Sequence, residues 1–520
     1  MTGNLRYKET RNEEERRKRP EMAAPMVLAT PYNSVSVVIN GNRRGCTARF
    51  AVEAKKSLLC ISNGHGEDEV AVSILKEITS MGGLKLEVKA IPLVGMGHAY
   101  KRCGIATVGP SRNMPSGGFF FMSKLGLLQD IHAGLISLTV LQWKTIQAWA
   151  IKNPNGTLLA VGDLFPLFLA WMASRKCIKV CQMSAGSGIK FIFVGTAKSE
   201  YYRCDVDNLN HKLGFFDCVE SILFPQCVCL PWERAMMADL NCCLIVPRDS
   251  ITTASLKKAL PPSAESKVKD LGNPMMDNLN PSGVLEFLKK QIPSLCVALL
   301  PGSRAPEVYS NWKTILDAVE NLLMSPISDQ IIFLVPIFSS LEIGLFSKTL
   351  LSMGWKFGVS ESLLPDIEDS ILCTENILSA SSDPNGESGI LYSFSYKKDN
   401  AFLLLTRDLF PDVANLADAA IAMAGTATEQ LVGMGKPVFT LSGNGPQYTS
   451  QFANAQSRLL GKSVILCSRH SIVGEMTKIL KGERFMNFFK ENGLKRMGAT
   501  GASKRIALQI HHLIWHKDSP

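Results

Sequence analysis

From residue 56 onward, short apolar runs alternate with longer amphipathic ones. Residues 57–62 (SLLCIS) read as a buried strand and NGHGED as a turn. Residues 69–82 (EVAVSILKEITSMG) then repeat apolar side chains at Val70, Ile74, Leu75 and Ile78, the period of a helix packed on one face. Further apolar runs at 86–95, 157–163, 189–196, 242–247 and 268–274 each end in a turn or a polar residue. The grammar restarts near residue 295, with strands predicted in 295–304, 330–337, 401–406, 419–425 and 437–443 and helices between them. Residues 379–400, rich in Ser and Gly, are expected to form a loop or small hairpin, and residues 485–516 a basic helical segment. Strands alternating with helices predict parallel sheets joined by crossover helices.

A chain of 520 residues exceeds what one core supports, which predicts two α/β domains. The expected organisation is an N-terminal segment 1–55 outside the fold, an acceptor-side domain 56–285, a nucleotide-binding domain 286–484, and a C-terminal helix 485–520 packing back. Residues 1–21 are dominated by Arg, Lys and Glu and are expected to be disordered. From Met22 to Val52 the chain holds arginines but no Asp or Glu, the composition of an organelle transit peptide, so a chloroplast location is expected.

The formal charge of +10 changes little, because twelve basic and six acidic residues in 1–56 account for more than half of it. What remains is too small to predict a nucleic-acid partner. The fourteen cysteines show no metal-binding spacing and are expected to be reduced, with no metal site. No long charge-free apolar run occurs, and the nearest, 158–173, contains Asp163 and Pro166.

Candidate chemistry sits at strand ends. In VALLPGSRAPEV a strand runs through Gly302, Ser303 and Arg304 into a helix; glycine permits close backbone approach, helix N–H groups suit a diphosphate, and Arg304 adds a bidentate charge. In AAIAMAGTATEQLVGMGKPVF a second strand ends at Gly425, with Thr426 and Thr428 opening a helix and Glu429 placed to accept ribose hydroxyls or to complement the helix dipole. Downstream, Gln447, Gln451 and Asn454 offer amides to sugar hydroxyls. In the first half, Gly64 and Gly66 flank His65, followed by Glu67. His65 and Asp163, which follows the strand 157–162, are the candidate bases, although Asp163 also fits a helix N-cap. Residues 117–151 are apolar, aromatic and mildly basic, and are expected either to face the core or to dip into a membrane surface.

LLPGSRAPEV, LGNPMMDNL and AGTATEQLVGMGKPVF resemble segments of lipid-A-disaccharide synthase and its cyanobacterial and plant relatives, over about residues 57–480 and most strongly in the second half. The resemblance implies an α/β GT-B fold, two Rossmann-like domains whose parallel sheets face a central cleft. It also implies an inverting transfer of a hexosyl group from a UDP-sugar to a lipid-like acceptor, without a cofactor, with Arg304 at phosphate and Glu429 at ribose. The first loop departs from that family, which carries an acidic Gly-Glu-Pro-Ser-Gly-Asp-like loop where this chain has Gly64-His65-Gly66. Two alternatives share the fold: a UDP-sugar epimerase, and a non-catalytic protein that binds a nucleotide sugar or lipid.

Overall fold

The computed structural model describes residues 56–515, apart from 65, 83–85, 115–123, 181–187, 204–226, 289–294, 326, 328–329, 359–388, 397–400, 444–447 and 483. Six strands, β1 (Lys56–Ser62), β2 (Leu86–Pro92), β3 (Ala106–Thr107), β4 (Thr157–Gly162), β5 (Lys190–Gly195) and β6 (Cys242–Val246), form one sheet in the order β3-β2-β1-β4-β5-β6. Every pairing in it is parallel. The strand order reverses between β1 and β4, and in open sheets of this kind the ligand crevice lies beyond the carboxyl ends at that reversal.

A second sheet runs β14-β13-β12-β7-β8-β11-β10-β9. Its strands are β7 (Leu295–Leu300), β8 (Ile331–Ile337), β9 (Lys356–Phe357), β10 (Gly389–Tyr396), β11 (Ala401–Arg407), β12 (Ala419–Ala422), β13 (Val438–Leu441) and β14 (Val464–Cys467). Only β10 runs against the others, pairing antiparallel with β11 on one side and with the short edge strand β9 on the other. Here the order reverses between β7 and β12.

Both sheets are buried on two faces, as parallel strands require. Along β1, Leu59 and Ile61 face one cluster while Leu58 and Cys60 face another. Along β7, Val297 and Leu299 pack with Trp312 and Ile315 of helix α7 (Glu307–Leu323), and Ala298 and Leu300 face the opposite core. The chain crosses back at its end. Helix α10 (Arg484–Met497) contributes Met497 to the second half's core, whereas α11 (Ala502–Trp515) places Ile506, Ile510 and Ile514 in the first half's core beside α1 (Gly66–Gly82).

Three local expectations change. Residues 268–274 form no strand: Val268 makes only an isolated bridge to Ile245, since Gly272 sits at φ 84° and Pro274 has no N–H to pair. The stretch 379–400 includes a full strand, β10, where aromatic and aliphatic residues at Ile390, Phe394 and Tyr396 are buried; residues 379–388 and 397–400 lie outside the described residues. Strands β3 and β9 are two residues each, too short to stand out, and the four-residue apolar run Val464–Cys467 adds β14 at the other edge.

Candidate active-site cleft

The two reversal points bring the sequence motifs together in pairs. β7 and β12 are neighbours, and the N–H of Met423 donates to Leu300 O at 2.8 Å. The Pro301–Arg304 turn therefore lies beside the Ala424–Thr426 turn. Gly302, at φ 108°, is in the region that favours glycine, and a side chain there would stand 3.3 Å from Met423 O. Ser303 and Thr426 are exposed, while Arg304, Gly425 and Glu429 are half-buried. Helix α8 (Thr426–Gly433) opens directly after Gly425 and α7 soon after Arg304, so two helix N-termini end on one side of the cleft.

Glu307 and Gln456 brace this pair of turns, and neither stood out in the sequence. Glu307 Oε1 accepts from the N–H of Tyr448 at 2.6 Å. Gln456 Nε2, on helix α9 (Ser450–Leu460), donates to the carbonyls of Ala424 at 3.0 Å and Gly425 at 3.2 Å. Of the amides singled out on this segment, Gln451 is exposed, Asn454 is half-buried, and Gln447 lies outside the described residues. The signal for Gln456 was its spacing with Ala453, Ser457 and Leu460 on the buried face of α9. Thr428 is fully buried, and its hydroxyl donates to Ala424 O at 2.8 Å. That bond occupies it within the strand–helix packing, which leaves Thr426 as the hydroxyl at the cleft.

The first half mirrors this arrangement. β1 and β4 are neighbours, so the turn at Asn63–Gly66 lies beside Asp163. Gly64, at φ 118°, approaches Val94 O so closely that an added Cβ would stand 2.1 Å away. Asp163 Oδ1 accepts from the N–H of Phe165 at 2.9 Å, the capping bond of helix α5 (Leu164–Val180), and its second oxygen receives no hydrogen bond among the described residues. His65 lies outside the described residues. Glu67 stands in the first turn of α1. Burial pushes its carboxyl up to about 7; its own N–H opposes this, the negative charges of Asp163 and Asp68 add to it, and Arg304 from the other half opposes it. Burial in turn pulls Arg304 below its ordinary value, against the charges of Glu67 and Glu307.

Behind this surface, Asp68 is buried. Burial raises its carboxyl to about 7, although Ser62 donates to it at 2.5 Å; Ser62 Oγ also lies 2.6 Å from the Tyr100 hydroxyl.

The halves meet at named contacts. A side chain added at Gly66, the first residue of α1, would stand 3.3 Å from Thr426 Oγ1, the first residue of α8. Arg248, just past β6, pairs with Glu429 at 2.5 Å. This arginine was missed because the sequence shows only a strand, a proline and two charges; its partner lies 181 residues away. The carboxyl ends of both sheets thus enclose one cleft holding Gly66, Glu67, Asp163, Arg304, Thr426 and Glu429.

No protein-family model matches the chain, and no curated protein matches its sequence. Solved structures do match in shape. A candidate UDP-N-acetylglucosamine 2-epimerase from Listeria monocytogenes is 13% identical, over 90% of this chain and 98% of that one, with a TM-score of 0.50. A UDP-GlcNAc 2-epimerase from Neisseria meningitidis, bound to UDP-GlcNAc, is 13% identical over 87% and 99%, with a TM-score of 0.43. MurG from Acinetobacter baumannii is 10% identical over 88% and 99%, with a TM-score of 0.44. At such identities the likeness bears on architecture alone. The chain has the GT-B fold, two α/β domains with parallel-strand sheets.

Proposed function

We propose that the protein transfers a hexosyl group from a UDP-sugar to a lipid acceptor, as its resemblance to lipid-A-disaccharide synthase implies. The observation that carries this reading is the meeting of α1 and α8, N-terminus to N-terminus, beside Arg304. Helix N-termini and a guanidinium in one cleft suit the charge that develops on a departing diphosphate. In this reading Gly302, Ser303, Arg304, Gly425 and Thr426 hold the diphosphate and Glu429 the ribose, with Gln447, Gln451 and Asn454 near the sugar. The acceptor enters beside Gly64 and Gly66. A base among His65, Asp163 and Glu67 takes the acceptor hydroxyl proton as the new glycosidic bond forms. The bond from the anomeric carbon to phosphate breaks at the same time, and UDP leaves with the bonding pair.

A lipid acceptor is supported by helices α3 (Lys124–His132) and α4 (Leu135–Lys152). Leu128, Ile131, Ile136, Val140, Leu141 and Ile151 are exposed there, from 36% at Ile151 to 61% at Ile136. His132, Lys144 and Lys152 are exposed beside them, and the one acid of these helices, Asp130, is buried. Apolar side chains with basic neighbours suit an anionic membrane surface. Gln142 ties α4 to the strand end beside the β1–α1 turn by donating to Leu93 O at 3.0 Å. Among the described residues no helix is long and apolar enough to cross a membrane. The acid-poor stretch 22–52 supports a plastid location.

The presence of two carboxyls, Glu67 and Asp163, on the sugar side favours a second reading, a UDP-sugar epimerase that moves a proton on the sugar itself. The experiment is to incubate the full chain with UDP-GlcNAc, UDP-glucose or UDP-galactose in D2O, with and without vesicles of candidate lipid acceptors. UDP release that requires the vesicles, with a glycolipid seen by mass spectrometry, is the expected result. Deuterium in the sugar without an acceptor would instead identify an epimerase, and binding without turnover a non-catalytic protein.

A further inference from the structure

Arg248 belongs to the half that would carry the acceptor, yet its charge is spent in the half that would carry the donor. It follows β6, and its mount is rigid. The next residue, Asp249, caps helix α6 (Ser250–Ala259) by accepting from the N–H of Thr252 at 2.8 Å and also accepts from Ser199 Oγ at 2.6 Å. Arg248 is 4% exposed, so its guanidinium is nearly dry. Nη1 donates to Thr196 O at 2.8 Å, and Nη2 donates to Glu429 Oε2 at 2.5 Å with Met497 Sδ 3.6 Å away. Nε finds no acceptor among the described residues. Burial works against the charge of Arg248, but Glu429, with Tyr202 and Asp249 adding to it, holds the guanidinium above its ordinary value.

A guanidinium and a carboxylate can meet through two parallel bonds. Here the contact uses Oε2 alone, and Oε1 of Glu429 receives no hydrogen bond among the described residues. Glu429 is thus oriented and charge-balanced through one oxygen, with the other still able to accept. Nearby contacts fix the same junction. Arg458 Nε donates to Tyr202 O at 3.0 Å, and the Arg496 guanidinium lies 3.9 Å over the Tyr201 ring.

We propose that Arg248 is a positioning residue for nucleotide recognition: by holding Glu429 Oε2 from across the cleft, it sets Oε1 to accept the ribose hydroxyls of a nucleoside diphosphate. The proposal rests on the reading of Glu429 as the ribose acceptor. It follows that the ribose site is complete only while the halves are apposed, so ribose recognition and closure are coupled.

The test compares UDP with 2′-deoxy-UDP by calorimetry on the full chain, for the wild type and for Glu429→Ala, Arg248→Gln and Arg248→Lys. The wild type is expected to favour UDP by about tenfold, a hydrogen bond's worth. Glu429→Ala and Arg248→Gln should both bring that ratio close to one, with Arg248→Lys in between. General damage to the fold weakens both ligands alike and leaves the ratio unchanged, and Arg248→Lys, which keeps the buried charge, guards against a variant that does not fold. A ratio lost in Glu429→Ala but kept in both Arg248 variants would overturn the positioning role and leave the donor reading standing. A wild type that binds neither ligand, or both equally, would overturn the donor reading and this inference with it.

Discussion

Gly66 and Thr426 begin helices that follow strands of different sheets, 360 positions apart in the chain, and a Cβ on the first would stand 3.3 Å from the hydroxyl of the second. Two positive helix ends held so close gain from an anion between them. On the proposed reading, space at Gly66 is therefore a condition of binding. Its backbone is not in the left-handed region, so Gly66→Ala should fold normally and bind UDP nearly as well. Gly66→Val, with two further methyl groups at the gap, should weaken UDP by about tenfold in calorimetry with little change in melting temperature.

On the proposed reading, Glu67 gives turnover a pH dependence. With its carboxyl raised to about 7, it ionises as the pH rises through neutrality. A base role for it predicts kcat/KM that rises with pH and levels off above about 7, with Glu67→Gln losing that limb and on the order of a hundredfold in rate. A limb that survives in Glu67→Gln would return the role to His65 or Asp163, which the matching substitutions would then separate.

Asp68 makes a claim on stability. Its folded carboxyl titrates at about 7 against an ordinary value of 3.8, so the folded chain keeps a proton that the unfolded chain releases. Below about pH 4 both states are protonated and no cost arises. Between pH 4 and 7 stability falls as the pH rises, and above 7 the full cost stands. Asp68→Asn keeps an acceptor for Ser62 and removes the charge. It should raise stability at pH 8 by on the order of 4 kcal/mol and leave it unchanged at pH 4, as read by denaturant melts.

Gly493 lets α10 lie directly on α8. A Cβ there would stand 2.2 Å from Val432 O, which is backbone and cannot swing aside. Gly493→Ala should therefore cost about 2 kcal/mol or more in thermal unfolding. Because α8 carries Thr426 and Glu429, UDP affinity should fall with it.

The face of α3 and α4 predicts lipid binding with a charge requirement. The full chain should sediment with vesicles containing anionic lipid and much less with neutral ones, and added salt should weaken the binding. Leu128→Ser with Ile136→Ser should abolish sedimentation while leaving UDP affinity intact. Equal sedimentation by that variant would assign the face to another role.

Much of the architecture could be read along the chain. The runs at β1, β4, β7 and β12 are apolar because parallel strands in a doubly wound sheet are buried on both faces, so each stood out without a partner being known. The turns at Gly302 and Gly425 were equally local, since a glycine at the end of such a strand, followed by a helix, is a pattern within a dozen residues. The run at 268–274 misled because its apolar residues are few and Gly272 and Pro274 end it as a strand; Arg505, from the far end of the chain, donates to Leu271 O there at 2.9 Å.

Local pattern thus determined the α/β class, the two-half organisation and the glycine-containing turns at the strand ends. It did not determine which ends face each other. That β7 lies against β12, that Glu67 shares a space with Arg304, and that Arg248 reaches Glu429 are consequences of strand order and of the crossing of α11 back to α1. Pairings of this kind hold groups hundreds of residues apart within a few ångströms. No periodicity records them, because the energy that selects them comes from burying whole faces and not from the residues that meet.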